Sequence, residues 1–133
     1  MILALLGVAV LASGLGWLRL GWLVVTVTGQ SMRPTMQPGD RILVRRTSTG
    51  RIRAGQIVVL DANPGWIIKR VAAAPGDRVL PGLAPDAEDR VPPGRLLLLG
   101  DNRSRSSDSR QHGYYDGTHL VGVAVRSLTR RKT

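Results

Sequence analysis

Apolar positions follow two regimes along this chain. Residues 1–18 read MILALLGVAVLASGLGWL, with Ser13 the single polar side chain, so the segment has neither alternation nor an amphipathic stripe. Beyond it, apolar β-branched runs recur at 22–28, 41–46, 56–61, 66–73, 95–99 and 120–127. Turn formers part them: QPGD at 37–40, STG at 48–50, NPG at 63–65, PGD at 75–77 and PPG at 92–94. No helical period of useful length follows residue 25. Short strands at this close spacing predict a mainly β domain, an antiparallel sheet or small barrel. The stretch 81–93 (PGLAPDAEDRVPP) reads as an exposed, acidic, proline-bearing loop, and 129–133 (TRRKT) as a frayed basic tail.

At 1.5 Å rise per residue, a helical segment 1–18 would span roughly 27 Å, near the thickness of a bilayer's hydrocarbon core. Arg19 can snorkel to headgroups from the end of such a helix, and Trp17 and Trp22 stand where interfacial aromatics are expected. A transmembrane anchor is preferred to a cleaved signal peptide, for which the basic n-region is missing, and to a buried core helix. The predicted organisation is an anchor over 1–21, one domain over 22–128 and a basic tail over 129–133. Membrane lipid is the partner that the anchor implies.

With 133 residues the chain is long enough for one ordinary domain. The absence of cysteine excludes disulfides, thiolate zinc sites and a cysteine nucleophile together. Two histidines, His112 and His119, are too few for a His-rich metal site, so no metal or other cofactor is expected. A net charge of +10 raises nucleic acid and anionic lipid as partners. No helix-turn-helix, RNA-binding signature or aromatic platform accompanies it, and nucleic acid is not expected to bind.

Three polar clusters interrupt the strands. TGQSMRPTMQPGD (28–40) places Ser31 at the end of an apolar strand, before a turn in which Pro34 restricts Arg33. A hydroxyl there can be an exposed nucleophile beside a backbone N–H, or a turn serine bonded to its own backbone. In WIIKRVAAAPGD (66–77), alternation sets Ile67, Lys69 and Val71 on one face and Ile68 and Arg70 on the other. Only Lys69 and Lys132 break a run of 17 arginines among 19 basic residues. Lysine, unlike arginine, loses its proton when desolvated, which suits a general base; a lysine snorkelling to solvent is the bland alternative. LLLLGDNRSRSSDSRQHG (96–113) runs a hydrophobic strand into a loop where Asp101, Asp108 and Arg110 can form ion pairs. Taken alone it is equally a solvated loop or an anion-binding one.

Together and in this order, GQSMRPTMQPGD, IIKRVAAAPGD and GDNRSRSSDSRQHG resemble three motifs of the bacterial type I signal peptidases. These are membrane-bound Ser–Lys endopeptidases of the S26 class, and the likeness is to their short Gram-positive form. The resemblance covers residues 22–126 and the preceding anchor. It implies a catalytic domain built on an antiparallel sheet, with Ser31 as nucleophile, Lys69 as general base and the Ser31 backbone N–H as oxyanion donor. It further implies that Met32 packs against the lysine, that Ser106 orients it, and that Asp108 and Arg110 brace the site. Two departures stand out. Gly29 replaces a serine that supplies a second oxyanion donor in some members, and Gly55–Gln56 replaces the usual Gly-Asp before the third strand. Only 22 residues separate Asp77 from Gly100, too few for the second domain of larger members.

The implied reaction is acyl transfer on exported precursors bearing signal peptides, cleaved after small residues at −1 and −3. The implied place is the cytoplasmic membrane, crossed once, with the catalytic domain on the extracytoplasmic face. The positive-inside rule points the other way, because no basic residue precedes the anchor and several arginines follow it; long domains translocate largely regardless of charge. The rivals are a maturation protease dedicated to one or a few partner proteins, a self-cleaving Ser–Lys protein, and a non-enzymatic basic binding module.

Overall fold

The computed structural model describes residues 21–129. The expected anchor, apart from Gly21, and residues 130–133 lie outside the described residues. Among the described residues no helix is long and apolar enough to cross a membrane. Seven strands form one sheet: β1 (Trp22–Thr26), β2 (Arg41–Arg46), β3 (Ile57–Asp61), β4 (Trp66–Ala73), β5 (Arg95–Leu99), β6 (Tyr115–Asp116) and β7 (Leu120–Ser127). The six predicted runs are all strands. β1 ends two residues early, because Val27 is held by the following turn through Val27 N–H to Asp40 O and Gly39 N–H to Val27 O. β6, two residues long, is too short to leave a periodic trace in the sequence. A single helical turn, α1 (Ser109–His112), follows β5.

The strand order is β1-β2-β7-β3-β4-β5-β6, and every described pairing between these strands is antiparallel. β1 and β6 are edges, so the sheet is an open, curled half-barrel and not a closed barrel. The curl is evident from the cleft that β1 and β4 line together, although β2, β7 and β3 separate them in the order. β3 (IVVLD) is apolar on both faces because it is central. Val58 and Leu60 join one core cluster with Val71, Leu96, Leu98 and Val123. Val59 joins another with Val25, Met32, Ile42 and Val44. Ala73, Val91 and Leu97 form a third cluster against which Leu83 and Ala84 of the 81–93 loop pack.

Three turns share one device. The side chain of their last residue accepts the backbone N–H three residues back: Asp40 from Gln37 at 2.9 Å, Gln56 from Arg53 at 2.8 Å and Asp77 from Ala74 at 2.9 Å. Gln56 therefore pins its turn as the two aspartates pin theirs, its amide oxygen standing in for a carboxylate; the preceding Gly55 supplies the positive φ of +91°. At the chain end Thr129 is not frayed. Its hydroxyl accepts the Arg41 N–H at 2.7 Å and so extends the β2–β7 ladder.

Gly122, in the centre of β7, faces the neighbouring strand so closely that a Cβ there would overlap the Arg45 carbonyl oxygen and lie 2.8 Å from its carbon. Backbone cannot yield as a flexible side-chain tip can. Gly122→Ala is expected to lower the unfolding free energy by about 1–3 kcal/mol, read by urea denaturation of the purified protein.

Candidate active site

Alternation along β4 and its register with β3 put Lys69 opposite Val58, on the face that carries Ile67 and Val71, as the sequence predicts. Its side chain is almost enclosed, at 6 % exposure. Burial pushes the amine below its ordinary value; the Asp108 carboxylate pulls it back up and the Arg110 guanidinium pushes it further down. Lys69 Nζ donates to Ser106 Oγ at 3.0 Å, and Ser106 Oγ donates to Asp108 Oδ2 at 2.7 Å. An ionised carboxylate only accepts, so the single hydroxyl proton of Ser106 is committed to Asp108. Ser106 can then offer Lys69 only a lone pair, and the lone pair of a neutral amine is left to point elsewhere.

Asp108 is fully buried and serves as N-cap of α1 in a capping box with Gln111. Oδ1 accepts Arg110 N–H and Nε–H; Oδ2 accepts the Gly100 N–H at 3.0 Å, Arg110 Nη2 and Ser106. Burial alone would raise this carboxyl, but the bonds from Arg110, Gly100 and Ser106 outweigh it and hold it well below the usual carboxylate range. Arg110 Nη2 also reaches the carbonyls of Arg103 and Ser106, which fastens the loop to the carboxylate.

Ser31 stands at the start of the turn after β1. Neither its hydroxyl nor its backbone N–H is engaged by another described group, which disfavours a serine spent on its own turn. Its carbonyl accepts the Asn102 N–H at 2.7 Å, and the Asn102 side-chain amide donates to Gln30 O at 3.1 Å. Met32 is buried in the core cluster with Val25 and Val59 and anchors the turn from beneath. Ser31, Met32, Gly29 and Lys69 all line one cleft of about 520 Å³, with β1 on one wall and the first half of β4 on the other. The structure thus brings Ser31, Met32 and Lys69 to one cleft, with Ser106, Asp108 and Arg110 as a chain of contacts behind the amine.

Sequence reasoning left Asp101 among candidate ion pairs without its partner. That partner is Arg70, across the sheet: Nε and Nη2 each donate to the carboxylate at 2.8 Å, and Thr35 Oγ1 donates to Oδ2 at 2.5 Å. The signal was the alternation that turns Arg70 away from Lys69, onto the other face. Arg70 Nη1 also bonds Gly55 O, so one guanidinium ties three segments. Gly100 was missed as well. A Cβ there would overlap Ser106 Oγ and Cβ and come within 2.7 Å of Ser31 O, so the absence of a side chain sets how closely the two serines approach. His112 bonds Ser107 at 2.6 Å, and His119 lies by the β3–β4 hairpin with Asp61 and Trp66; neither is among the residues lining the Ser31 cleft. No group of three or more His, Asp or Glu that could hold a metal occurs among the described residues.

An open antiparallel sheet thus sets an unengaged hydroxyl and a desolvated amine on one cleft. The family model for signal peptidase, peptidase S26, matches residues 1–81 and 82–128. Signal peptidase IB of Staphylococcus aureus (strain COL) is 30% identical over 139 residues, covering 73% of this chain and 72% of that protein. Signal peptidase I of Bacillus caldolyticus is 32% identical over 133 residues, covering 72% of this chain and 73% of its own. The chain belongs to the S26 signal peptidase family and is a serine peptidase.

Gly100→Ala is expected to leave the sheet folded, at a cost of about 1–3 kcal/mol, while separating Ser106 from the Ser31 turn. Misplacement on that scale is expected to lower kcat by about 100-fold, measured on a peptide substrate with circular dichroism as the control for folding.

Proposed function

We propose that this protein removes signal peptides from exported precursors, with Ser31 and Lys69 as its catalytic dyad. The observation that carries the reading is that Ser31, with its hydroxyl and N–H unengaged, shares a cleft with a buried lysine whose ammonium form is disfavoured. Neutral Lys69 takes the Ser31 proton, and the alkoxide attacks the scissile carbonyl while the Ser31 N–H donates to the oxyanion. The resulting lysinium gives its proton to the leaving amine. Water, activated by the same lysine, then hydrolyses the ester and frees the serine. Ser106 and Asp108 position the amine, and Arg110 keeps Asp108 ionised. No metal or cofactor takes part in these steps.

Substrate enters as an extended strand beside β1, an outer strand of the sheet. Residues small enough to let the backbone lie flat in the cleft are expected at −1 and −3, as the family resemblance implies. The apolar segment 1–21 is the anchor in this reading, 22–128 the catalytic domain and 129–133 the basic tail. Eleven residues separate Arg19 from Ser31, so the dyad stays near the bilayer surface where a precursor's cleavage site emerges. The catalytic domain is placed on the extracytoplasmic face of a single-pass protein.

Ser31→Ala and Lys69→Arg are each expected to abolish cleavage of a signal-peptide-bearing precursor in a protein that still folds, Lys69→Arg with a lower urea midpoint because its charge stays buried. Arginine keeps the positive charge but cannot act as a base, so a folded, active Lys69→Arg would defeat the dyad.

The pH profile follows from the direction of the Lys69 shift. The working form is the neutral amine, so kcat is expected to fall as pH drops through the lowered lysine pKa and to persist on its alkaline side. Ser106→Ala is expected to lower kcat by about 10–100-fold and to displace that limb, because the amine loses its one described hydrogen-bond acceptor. Full activity retained at pH 5 would contradict the assignment.

A further inference from the structure

Of the three turns pinned by a side chain that accepts the N–H three residues back, two use aspartate, Asp40 and Asp77. The third uses Gln56. A neutral amide does the same mechanical work there, so what sets it apart is the charge it leaves out. Gln56 lines a concave pocket of about 250 Å³ together with Arg45, Arg46, Thr47 and Arg51. Two buried side chains, Ile52 and Val123, complete the lining as its floor. No acid lines this pocket, and no ion pair among the described residues involves any of its three arginines.

The fold assembles the pocket from three places. Antiparallel register sets Arg45 opposite Val123, and paired residues share a face of the sheet, so its side chain leaves β2 on the side of the floor. A single 3-10 turn, Thr49–Arg51, brings Arg51 to the same pocket, and the following Ile52 packs into the core cluster that holds Val123. Gln56 closes the third side from the turn before β3. Its Oε1 accepts the Arg53 N–H at 2.8 Å, and its Nε2 has no partner among the described residues.

Donors gathered without an acceptor suit an anion. Guanidinium forks match phosphate oxygens in pairs, and the Gln56 amide and Thr47 hydroxyl add neutral donors beside them. The pocket is smaller than ordinary small-molecule sites and fits one compact group. Aspartate at position 56 would place a carboxylate among the arginines and occupy them from within. Position then points to a source. On its other side Arg45 pairs with Trp22, the first residue of β1, which follows directly on the apolar segment 1–21. In the anchor reading, this end of the sheet is the one held at the bilayer.

We infer that Arg45, Arg51 and Gln56 form a binding site for a phosphate group, supplied by an anionic lipid headgroup at the membrane surface. The site does not depend on the peptidase reading; the choice of lipid as its source rests on the anchor.

The test titrates the detergent-solubilised full chain, by calorimetry at matched ionic strength, with short-chain phosphatidylglycerol, short-chain phosphatidylcholine and inorganic phosphate. Wild type is expected to bind phosphatidylglycerol at one saturable site, with inorganic phosphate displacing it and zwitterionic phosphatidylcholine binding at least about tenfold more weakly. Arg45→Gln and Arg51→Gln are each expected to weaken binding about tenfold, the loss of one charge-assisted partner. Gln56→Asp keeps an acceptor for the Arg53 N–H, as Asp40 and Asp77 do in their turns. It is expected to weaken binding at least as much while leaving the urea midpoint in place, which separates lost binding from lost fold. Arg126→Gln, on β7 and outside the pocket, is expected to change nothing. Inorganic phosphate bound without phosphatidylglycerol would keep the site and overturn the lipid as its source. No saturable binding of either, equal weakening by Arg126→Gln, or wild-type affinity in Gln56→Asp would overturn the site itself.

Discussion

A carboxylate with no exposure to water, Asp108, organises the loop that follows β5. An isolated ion there would be prohibitively costly, and the structure answers it with a guanidinium, two backbone N–H groups and a hydroxyl. The donors come from three pieces of chain: Gly100 after β5, Ser106 in the loop, and Arg110 in α1, which gives both its guanidinium and its N–H. Satisfying one charge therefore fixes the path of eleven residues. Ser106 is the member that meets Lys69: its proton goes inward to Asp108 and leaves only an acceptor facing the amine. The amine is thus oriented by a group that never competes for its lone pair.

The same loop grips the Ser31 turn from its other end. Asn102 holds the carbonyls of Gln30 and Ser31, and Asp101 bridges Thr35 in that turn to Arg70 on β4. Arg70 and Lys69 are adjacent, so alternation gives them opposite faces and separate acids, Asp101 for one and Asp108 for the other. Two neighbouring cations are kept from sharing a partner, and the lysine remains free to be neutral. Between the two clamps sits Gly100, where any side chain would fill the space that the two serines need. Shape and charge therefore act together: the acids set orientation and the glycine sets separation.

Much of this was legible in the sequence because buried strands stand out as short apolar runs between turn formers. The runs at 41–46, 66–73, 95–99 and 120–127 became strands with those bounds. β6 and the pairing order were not legible, since a two-residue strand has no period and order depends on contacts distant in the chain. Lys69 announced itself as one of two lysines, and the one inside a strand, in a chain that otherwise uses arginine. Ser106 was one serine among four in its loop, and only the likeness to a known motif singled it out. Arg70 to Asp101 was hidden for a general reason: alternation tells which face a side chain takes, never which distant loop covers that face. Gly100 was hidden because sequence records a missing side chain without recording what occupies its place.

The preference for arginine elsewhere gives the lysine its meaning. Seventeen of 19 basic residues are arginine, whose charge persists at any pH the protein meets. At Asp101 and Asp108 that permanence is an advantage, because a bidentate or multiply bonded guanidinium keeps each acid ionised. At position 69 it would be a liability. A permanent cation enclosed to 6 % exposure, with Arg110 nearby, would bear the full desolvation cost and could never accept a proton. Lysine can escape that cost by giving up its proton, which is what the proposed role of base to Ser31 asks of it. The burial that opposes the charged form and the chemistry that needs the neutral one are a single constraint, satisfied by one residue type at one strand position.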